Sequence, residues 1–179
     1  MSGPVIKTLR MFLEPVTPAH APKMFAGLAD ERGYRFLPEE PPESVDKLRA
    51  KYEILTAETS PDGKEIWLNW MLKRRGGEHY VGYVQATIIK AEKAALIAYH
   101  IFPQYWGQQL GREAVKGMLN AIATEYRIRE ARAYVDTRNL ASIRLVEALG
   151  FQLAATVVAP DDYRGESHEE HLFVLKMDS

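Results

Sequence analysis

Two stretches of this chain combine residue types and spacings that can do chemistry. The first is Tyr105-Trp106-Gly107-Gln108-Gln109-Leu110-Gly111-Arg112-Glu113-Ala114, which follows an apolar run at residues 94–102 closed by Pro103. It opens an amphipathic pattern with Ala114, Val115, Met118, Leu119 and Ile122 on one stripe. A strand feeding a glycine-flanked turn into a helix N-terminus points several backbone N–H groups, and the positive end of a dipole, at one spot. That is an anion cradle, most simply for a phosphate or pyrophosphate.

The second is Asn139-Leu140-Ala141-Ser142-Ile143-Arg144-Leu145-Val146-Glu147-Ala148-Leu149-Gly150-Phe151. It reads as a short helix with Asn139 at its cap. Gly150, just past the end, can take a positive φ, and a strand begins at Phe151. The preceding residues 131–135 alternate Ala131/Ala133/Val135 with Arg132/Tyr134, a short strand able to lie beside residues 94–102.

On these residues the chain resembles the GNAT superfamily of acyl-CoA-dependent N-acetyltransferases, in the branch of the ribosomal-protein alanine acetyltransferases RimJ and RimL. Residues 8–18 look like that branch's first strand and the start of its first helix. Tyr99, Pro103, Tyr105, Trp106, Gly107, Glu113 and Ala114 fall on its acetyl-CoA motif. Asn139, Ser142, Leu149, Gly150 and Phe151 fall on its second motif. The resemblance implies an α/β (mixed α+β) fold in a single domain over residues 1–179. Its central sheet would be mixed, mostly antiparallel and of about seven strands, with helices on both faces. It implies acetyl-CoA as cosubstrate, held by Gly107, Gln108, Gln109, Leu110, Gly111 and Arg112, with Asn139 on the pantetheine arm. One departure stands out: the fourth cradle position, usually glycine or small, is Gln109. A Cβ there narrows the approach to a pyrophosphate unless φ is negative.

Acyl transfer from a thioester to an amine needs a neutral amine, a stabilised oxyanion and a leaving thiolate. An α-amine with a pKa of about 7.7–8 is appreciably neutral near pH 7.5. A lysine-like amine at about 10.4 is disfavoured by a further ~4 kcal/mol. By resemblance the thioester carbonyl accepts from a main-chain N–H at Ile101 or Phe102. The leaving thiol, near pKa 8.5, needs little acid help. Many family members place a tyrosine on the second-motif helix for this step, but Val146 occupies that position here. Ser142 is the remaining hydroxyl, able to hydrogen-bond the sulfur, or else an ordinary helix-surface serine. His100 stands where the branch has an aromatic and is a candidate base; otherwise it packs in the aromatic's space. Strand alternation puts Tyr99 and His100 on opposite faces, so one of them faces the acceptor. Glu113, in the first turn of the cradle helix, reads as a structural complement to the dipole. Arg138 and Arg144 are candidate phosphate contacts or solvated helix charges.

On the acceptor side, the acidic proline-rich segment with Glu39 and Glu40 matches the branch's substrate loop, and two carboxylates suit a cationic amine. Asn69 and Gln85 share polar faces of adjacent strands and could line the same cleft, with Tyr99 a further candidate. His168-Glu169-Glu170-His171 lacks the four-residue helical spacing of a zinc-protease pair, so no metal is expected.

In chain order, a strand is expected near residues 7–15. A helix follows from Pro18 with Thr17 as cap, and another runs from Ser44 to about Thr59. Strands are expected at 66–74, 80–90 and 94–102, then the cradle helix to Tyr126. After the second motif come strands at 151–158 and 171–177. At 179 residues the chain is one domain by length. A net charge of −1 argues against nucleic acid as the main partner. The absence of cysteine excludes a thiolate nucleophile, hence any cysteine-linked acyl-enzyme. No apolar run approaches the ~18–20 residues of a membrane span, no signal peptide is visible, and a cytoplasmic location is expected. Dimerisation is plausible for such a domain, although no residue points to it.

The leading expectation is direct acetyl transfer from acetyl-CoA to a protein N-terminal α-amine or a small-molecule amine. The alternatives are a non-catalytic acyl-CoA-binding regulatory module or, among enzymes, an antibiotic or polyamine acetyltransferase.

Overall fold

In the computed structural model, which describes residues 3–161 and 165–177, the first expected strand is two: β1 (Ile6–Lys7) and β2 (Met11–Pro15). The break lies at Thr8–Arg10. The Thr8 hydroxyl donates to Glu113 at 2.6 Å and accepts the Met11 N–H at 3.1 Å, while Glu113 also takes the Arg10 N–H at 2.7 Å. These bonds turn the chain into a short hairpin, so the sheet has eight strands rather than about seven.

A 3₁₀ turn at Pro18–His20 leads into α1 (Ala21–Leu28), and a second, Glu31–Tyr34, follows it. The helix α2 (Val45–Leu55) is capped by Ser44, whose Oγ accepts the Lys47 N–H at 3.1 Å. It stops short of Thr59 because the chain turns away at Glu58, which sits at φ +56°. The meander β3 (Glu65–Arg74), β4 (Tyr80–Ile89) and β5 (Ala94–Ile101) follows. Then come α3 (Leu110–Tyr126), β6 (Glu130–Asp136), α4 (Leu140–Ala148), β7 (Gln152–Ala159) and β8, which starts at His168 rather than His171 and ends at Lys176.

The strands lie in the order β1-β2-β3-β4-β5-β6-β8-β7. Neighbours run antiparallel except β5 and β6, which pair in parallel from Ala94↔Glu130 to Leu96↔Arg132. Alternation along β3 supplies two cores. Leu68, Trp70 and Leu72 pack under α3 and α4, whereas Met71 faces α1 and α2 with Val16, Met24, Leu48, Tyr52 and Phe102. The α3 stripe of Ala114, Val115, Met118, Leu119 and Ile122 is buried throughout. Each fully buried large side chain in it contributes about 1.5–3 kcal/mol. Among the described residues no helix is long and apolar enough to cross a membrane.

Candidate active site

The sheet opens where chemistry was expected. Beyond Leu96↔Arg132 the strands β5 and β6 part, so residues 97–101 line one wall of a wedge. The Phe102 N–H donates to Val81 O at 2.8 Å, and Ile101 stands opposite Gly82. In an antiparallel ladder this makes Ile101 and Gly82 a non-hydrogen-bonded pair, so the Ile101 N–H, and that of Tyr99 two residues earlier, faces the wedge. Phe102 therefore drops out as a main-chain donor. Its ring packs on α1, lying 2.2 Å from where a Cβ on Gly27 would stand. The Ile101 carbonyl is held from the same side by Trp106 Nε1 at 2.8 Å.

The cradle forms at the mouth of this wedge. Gly107 turns the chain at φ +75°, and Gln109 caps α3 in the left-handed conformation at φ +58°, ψ +20°. The negative φ that would have kept a Cβ at 109 clear of a pyrophosphate is therefore not what this turn adopts. The turn imposes its own backbone, and Gln109 adopts it with an exposed side chain. Leu110 is buried, leaving its contribution to the cradle to the main chain. The amides of the first helical turn, at Leu110, Gly111 and Arg112, have no intrahelical partners.

Two arginines brace the turn. Arg10 Nη1 donates to Gln108 O at 3.0 Å and Arg74 Nη1 to Gln108 Oε1 at 3.2 Å. Glu113 is tied to Arg10 at 2.6 Å. Burial pushes its carboxyl up, but the hydrogen bonds from Thr8 and Arg10 outweigh that and hold it below the usual range. Arg112 reaches across to Ala148 O at 3.4 Å. Arg138 is clamped on Asp136, at 2.9 and 2.7 Å, and serves that carboxylate.

On the other wall, Asn139 caps α4: its Oδ1 accepts the Ser142 N–H at 3.2 Å. The Ser142 hydroxyl lies 2.5 Å from the Tyr99 hydroxyl. Tyr99 was expected on the acceptor side. It points instead to the α3–α4 face, because residue 99 alternates with His100 and His100 occupies the α1–α2 face. Burial pushes the Tyr99 phenol up to about 12, with the Ser142 hydrogen bond pulling the other way.

His100 is 4% exposed, stacked on Tyr83 at 5.5 Å between ring centres and flanked by Tyr34 and Phe102. Its Nε2 is buried without a hydrogen-bond partner among the described residues. Burial lowers its pKa to about 4, against a small opposing pull from Asp30. A general base needs a route to the proton it takes and a pKa nearer neutrality. His100 has neither here, so the structure corrects its candidacy as base in favour of packing.

The α1–α2 face holds an open pocket of about 260 Å³. Glu39, Glu40, Asn69 and Gln85, the four other acceptor-side candidates, all line it. Asn69 and Gln85 are direct cross-strand partners, and Glu39 pairs with Lys51 at 3.6 Å. The pocket also contains Tyr34, Tyr52 and Tyr83, which sequence reasoning missed as lining residues. Tyr52 lies on the apolar stripe of α2 and reads as core by periodicity. Tyr83 shares a strand face with Gln85, a signal that could have found it; Tyr34 carries none. The Tyr52 hydroxyl is buried with no hydrogen-bond partner among the described residues.

His168 and His171 have different partners: Glu170 at 3.7 Å and Thr156 Oγ1 at 2.8 Å. Among the described residues no group of three or more His, Asp or Glu side chains is placed to hold a metal.

Comparison with known proteins meets this geometry. The sequence profile of the acetyltransferase (GNAT) domain matches residues 10–152. The uncharacterized N-acetyltransferase YoaA of Bacillus subtilis is 23% identical over 150 residues, 83% of each chain. The structure of RimL, a ribosomal α-N-protein acetyltransferase in complex with coenzyme A, superposes with a TM-score of 0.86. It covers 98% of this chain and 99% of that one, at 16% identity. The spermidine N-acetyltransferase of Vibrio cholerae, in complex with CoA and spermine, gives 0.78 over 93% and 95%, at 17% identity. A profile spanning most of the chain, over a wedge-split sheet with a cradle at its mouth, establishes that this chain belongs to the GNAT acetyltransferase family.

Proposed function

We propose that the chain transfers an acetyl group directly from acetyl-CoA to a primary amine whose pKa lies near neutrality, a peptide α-amine or a small amine of similar basicity. The observation that supports this most is the wedge. It leaves the Ile101 N–H facing a gap with the cradle at its mouth and a pocket on the opposite face of the sheet. In this reading Gly107–Arg112 amides take the pyrophosphate and Asn139 lies along the pantetheine arm. The Ile101 N–H stabilises the oxyanion, and Ser142 stands beside the sulfur. A preorganised donor of this kind is typically worth about 2.7–4 kcal/mol.

The acceptor preference rests on charge. The pocket floor is formed by neutral amides and phenols, its carboxylates lie on an exposed rim, and one of them is paired with Lys51. With His100 buried and weakly basic, no strong base among the described residues reaches the floor. An amine already neutral near pH 7.5 suits such a site better than a polyamine needing ~4 kcal/mol of deprotonation. Relatives named for a ribosomal protein and for spermidine bracket the two classes. Without a cysteine no cysteine-linked acyl-enzyme can form, and the proposed transfer step is attack by the amine itself.

The test is thiol release from acetyl-CoA across an amine panel graded by pKa, with products identified by mass spectrometry. Rates rising as amine pKa falls toward neutrality support the proposal. Preference for polyamines overturns the acceptor class. Tight CoA binding with no thiol release from any amine leaves the non-catalytic module instead.

A further inference from the structure

We propose that Tyr99 is a positioning residue for the leaving group: its phenol holds the Ser142 hydroxyl so that the serine's own proton is directed at the departing thiolate. This rests on the reading above that Ser142 stands beside the thioester sulfur. The contact crosses the wedge. Tyr99 lies on β5 beyond its last pairing with β6, and Ser142 lies in the first turn of α4, which follows β6. The two hydroxyl oxygens are 2.5 Å apart, and the Tyr99 oxygen is also 3.4 Å from the Ser142 carbonyl oxygen.

The phenol is the more acidic of the two hydroxyls, which favours it as the donor and the serine oxygen as the acceptor, with the Ser142 carbonyl a second, longer acceptor for the same proton. Ser142 then keeps its own proton for a third partner, and a hydroxyl that accepts a bond donates a stronger one. Its position is fixed from the backbone side by Asn139, which takes the Ser142 N–H. One turn on, the helix carries Val146, which has no hydroxyl and is fully buried.

The step balances without further reagents. The amine nitrogen bonds to the thioester carbon, the C–S bond breaks, and its electron pair leaves on sulfur. The Ser142 O–H donates a hydrogen bond to that thiolate. The proton that finally makes the thiol is the one lost by the acylated nitrogen, carried by water. Tyr99 is never ionised.

The test uses the full chain with bound CoA. Ultraviolet absorbance of the thiolate gives the ionisation of the bound thiol, which is free of any assumption about the acceptor. A free thiol titrates near 8.5. In the wild type the bound thiol is expected to ionise at lower pH, with a thiolate fraction about tenfold higher at a given pH below its pKa. Tyr99→Phe and Ser142→Ala should each remove that enhancement, and the double variant should go no further than Ser142→Ala. CoA affinity should stay within about threefold, and kcat should fall without a matching rise in KM for acetyl-CoA. Ser142→Ala leaves the phenol in place, so it reports even if Tyr99→Phe folds poorly. A Tyr99→Phe thiol titrating as in the wild type, additive losses in the double variant, or a Ser142→Ala chain with unchanged titration each overturns the proposal. A wild type that binds CoA with an unperturbed thiol and acetylates no amine overturns the reading of the site as well.

Discussion

Gly33 lies directly against the Nε2 atom of His100: a Cβ built on Gly33 would stand 2.7 Å from that nitrogen. The close approach seals the imidazole beneath the 3₁₀ turn Glu31–Tyr34, with Tyr83 stacked on its face. A nitrogen sealed in this way cannot shed its desolvation penalty when protonated, and the folded state therefore prefers the neutral ring.

Stability should reflect that preference. His100 titrates near 6.5 in the unfolded chain and at about 4 when folded. Its neutral form is favoured fully above pH 6.5, and the advantage is lost as pH falls toward 4. Over that window it amounts to about 3 kcal/mol. Urea midpoints measured between pH 7.5 and 4 should decline more steeply in the wild type than in His100→Phe, since carboxylates contribute equally to both. Parallel curves would contradict the buried, neutral assignment. Acetyl transfer by His100→Phe should persist, whereas a catalytic base would leave it inactive.

The left-handed conformation of Gln109 costs about 1–2 kcal/mol for a residue with a Cβ. Gln109→Gly should relieve that strain, partly offset by the entropy of an added glycine, and raise the melting temperature slightly. CoA affinity should hold or tighten, because the proposed grip on the pyrophosphate is by main-chain amides. A tenfold loss of affinity on calorimetry would show that the Gln109 side chain itself grips the cofactor.

The proposed oxyanion donor is a main-chain N–H, so side-chain truncation and donor removal should differ. Ile101→Ala is expected to lower kcat modestly through lost packing. Ile101→Pro removes the N–H that faces the wedge without breaking a β4–β5 bond, and should lower kcat by about 10²–10³. Similar single-turnover rates in the two variants, with both folded by circular dichroism, would remove Ile101 from this role.

Asn69 and Gln85 sit opposite one another on the pocket floor, whereas Glu39 and Glu40 lie at its rim. Replacing either amide by Leu should raise the amine KM by up to about tenfold, the worth of one hydrogen bond of ~0.5–1.5 kcal/mol. Glu39→Gln and Glu40→Gln should cost less, by an amount that fades with added salt, because exposed charges are screened. The opposite ranking would point to a polycationic acceptor.

Much was legible before folding because it is local. The stripe of α3, the Ser44 and Asn139 caps and the alternation of β3 and β5 each follow from residues a few positions apart. So did the placing of Asn69 and Gln85 on polar faces of adjacent strands, whereas their standing directly opposite one another is a matter of register that only the pairing fixes. The split at Thr8 was not legible, because Glu113, more than a hundred residues on, holds the turn. Nor was the hand of Gln109, where a closed turn overrode the ordinary preference of a residue with a Cβ.

What the chain decided by itself is a series of strands and helices with a glycine-flanked turn ahead of α3, written in hydrophobic period and glycine position. What only the tertiary structure decided is which atoms face the wedge. The Phe102 N–H is taken by Val81, Ile101 is left facing the gap, Tyr99 meets Ser142 and His100 is sealed under Gly33. Each of these depends on which strand or loop arrives from elsewhere in the chain. Pairing across such distances is set by packing of the whole sheet, to which no short stretch of residues has access.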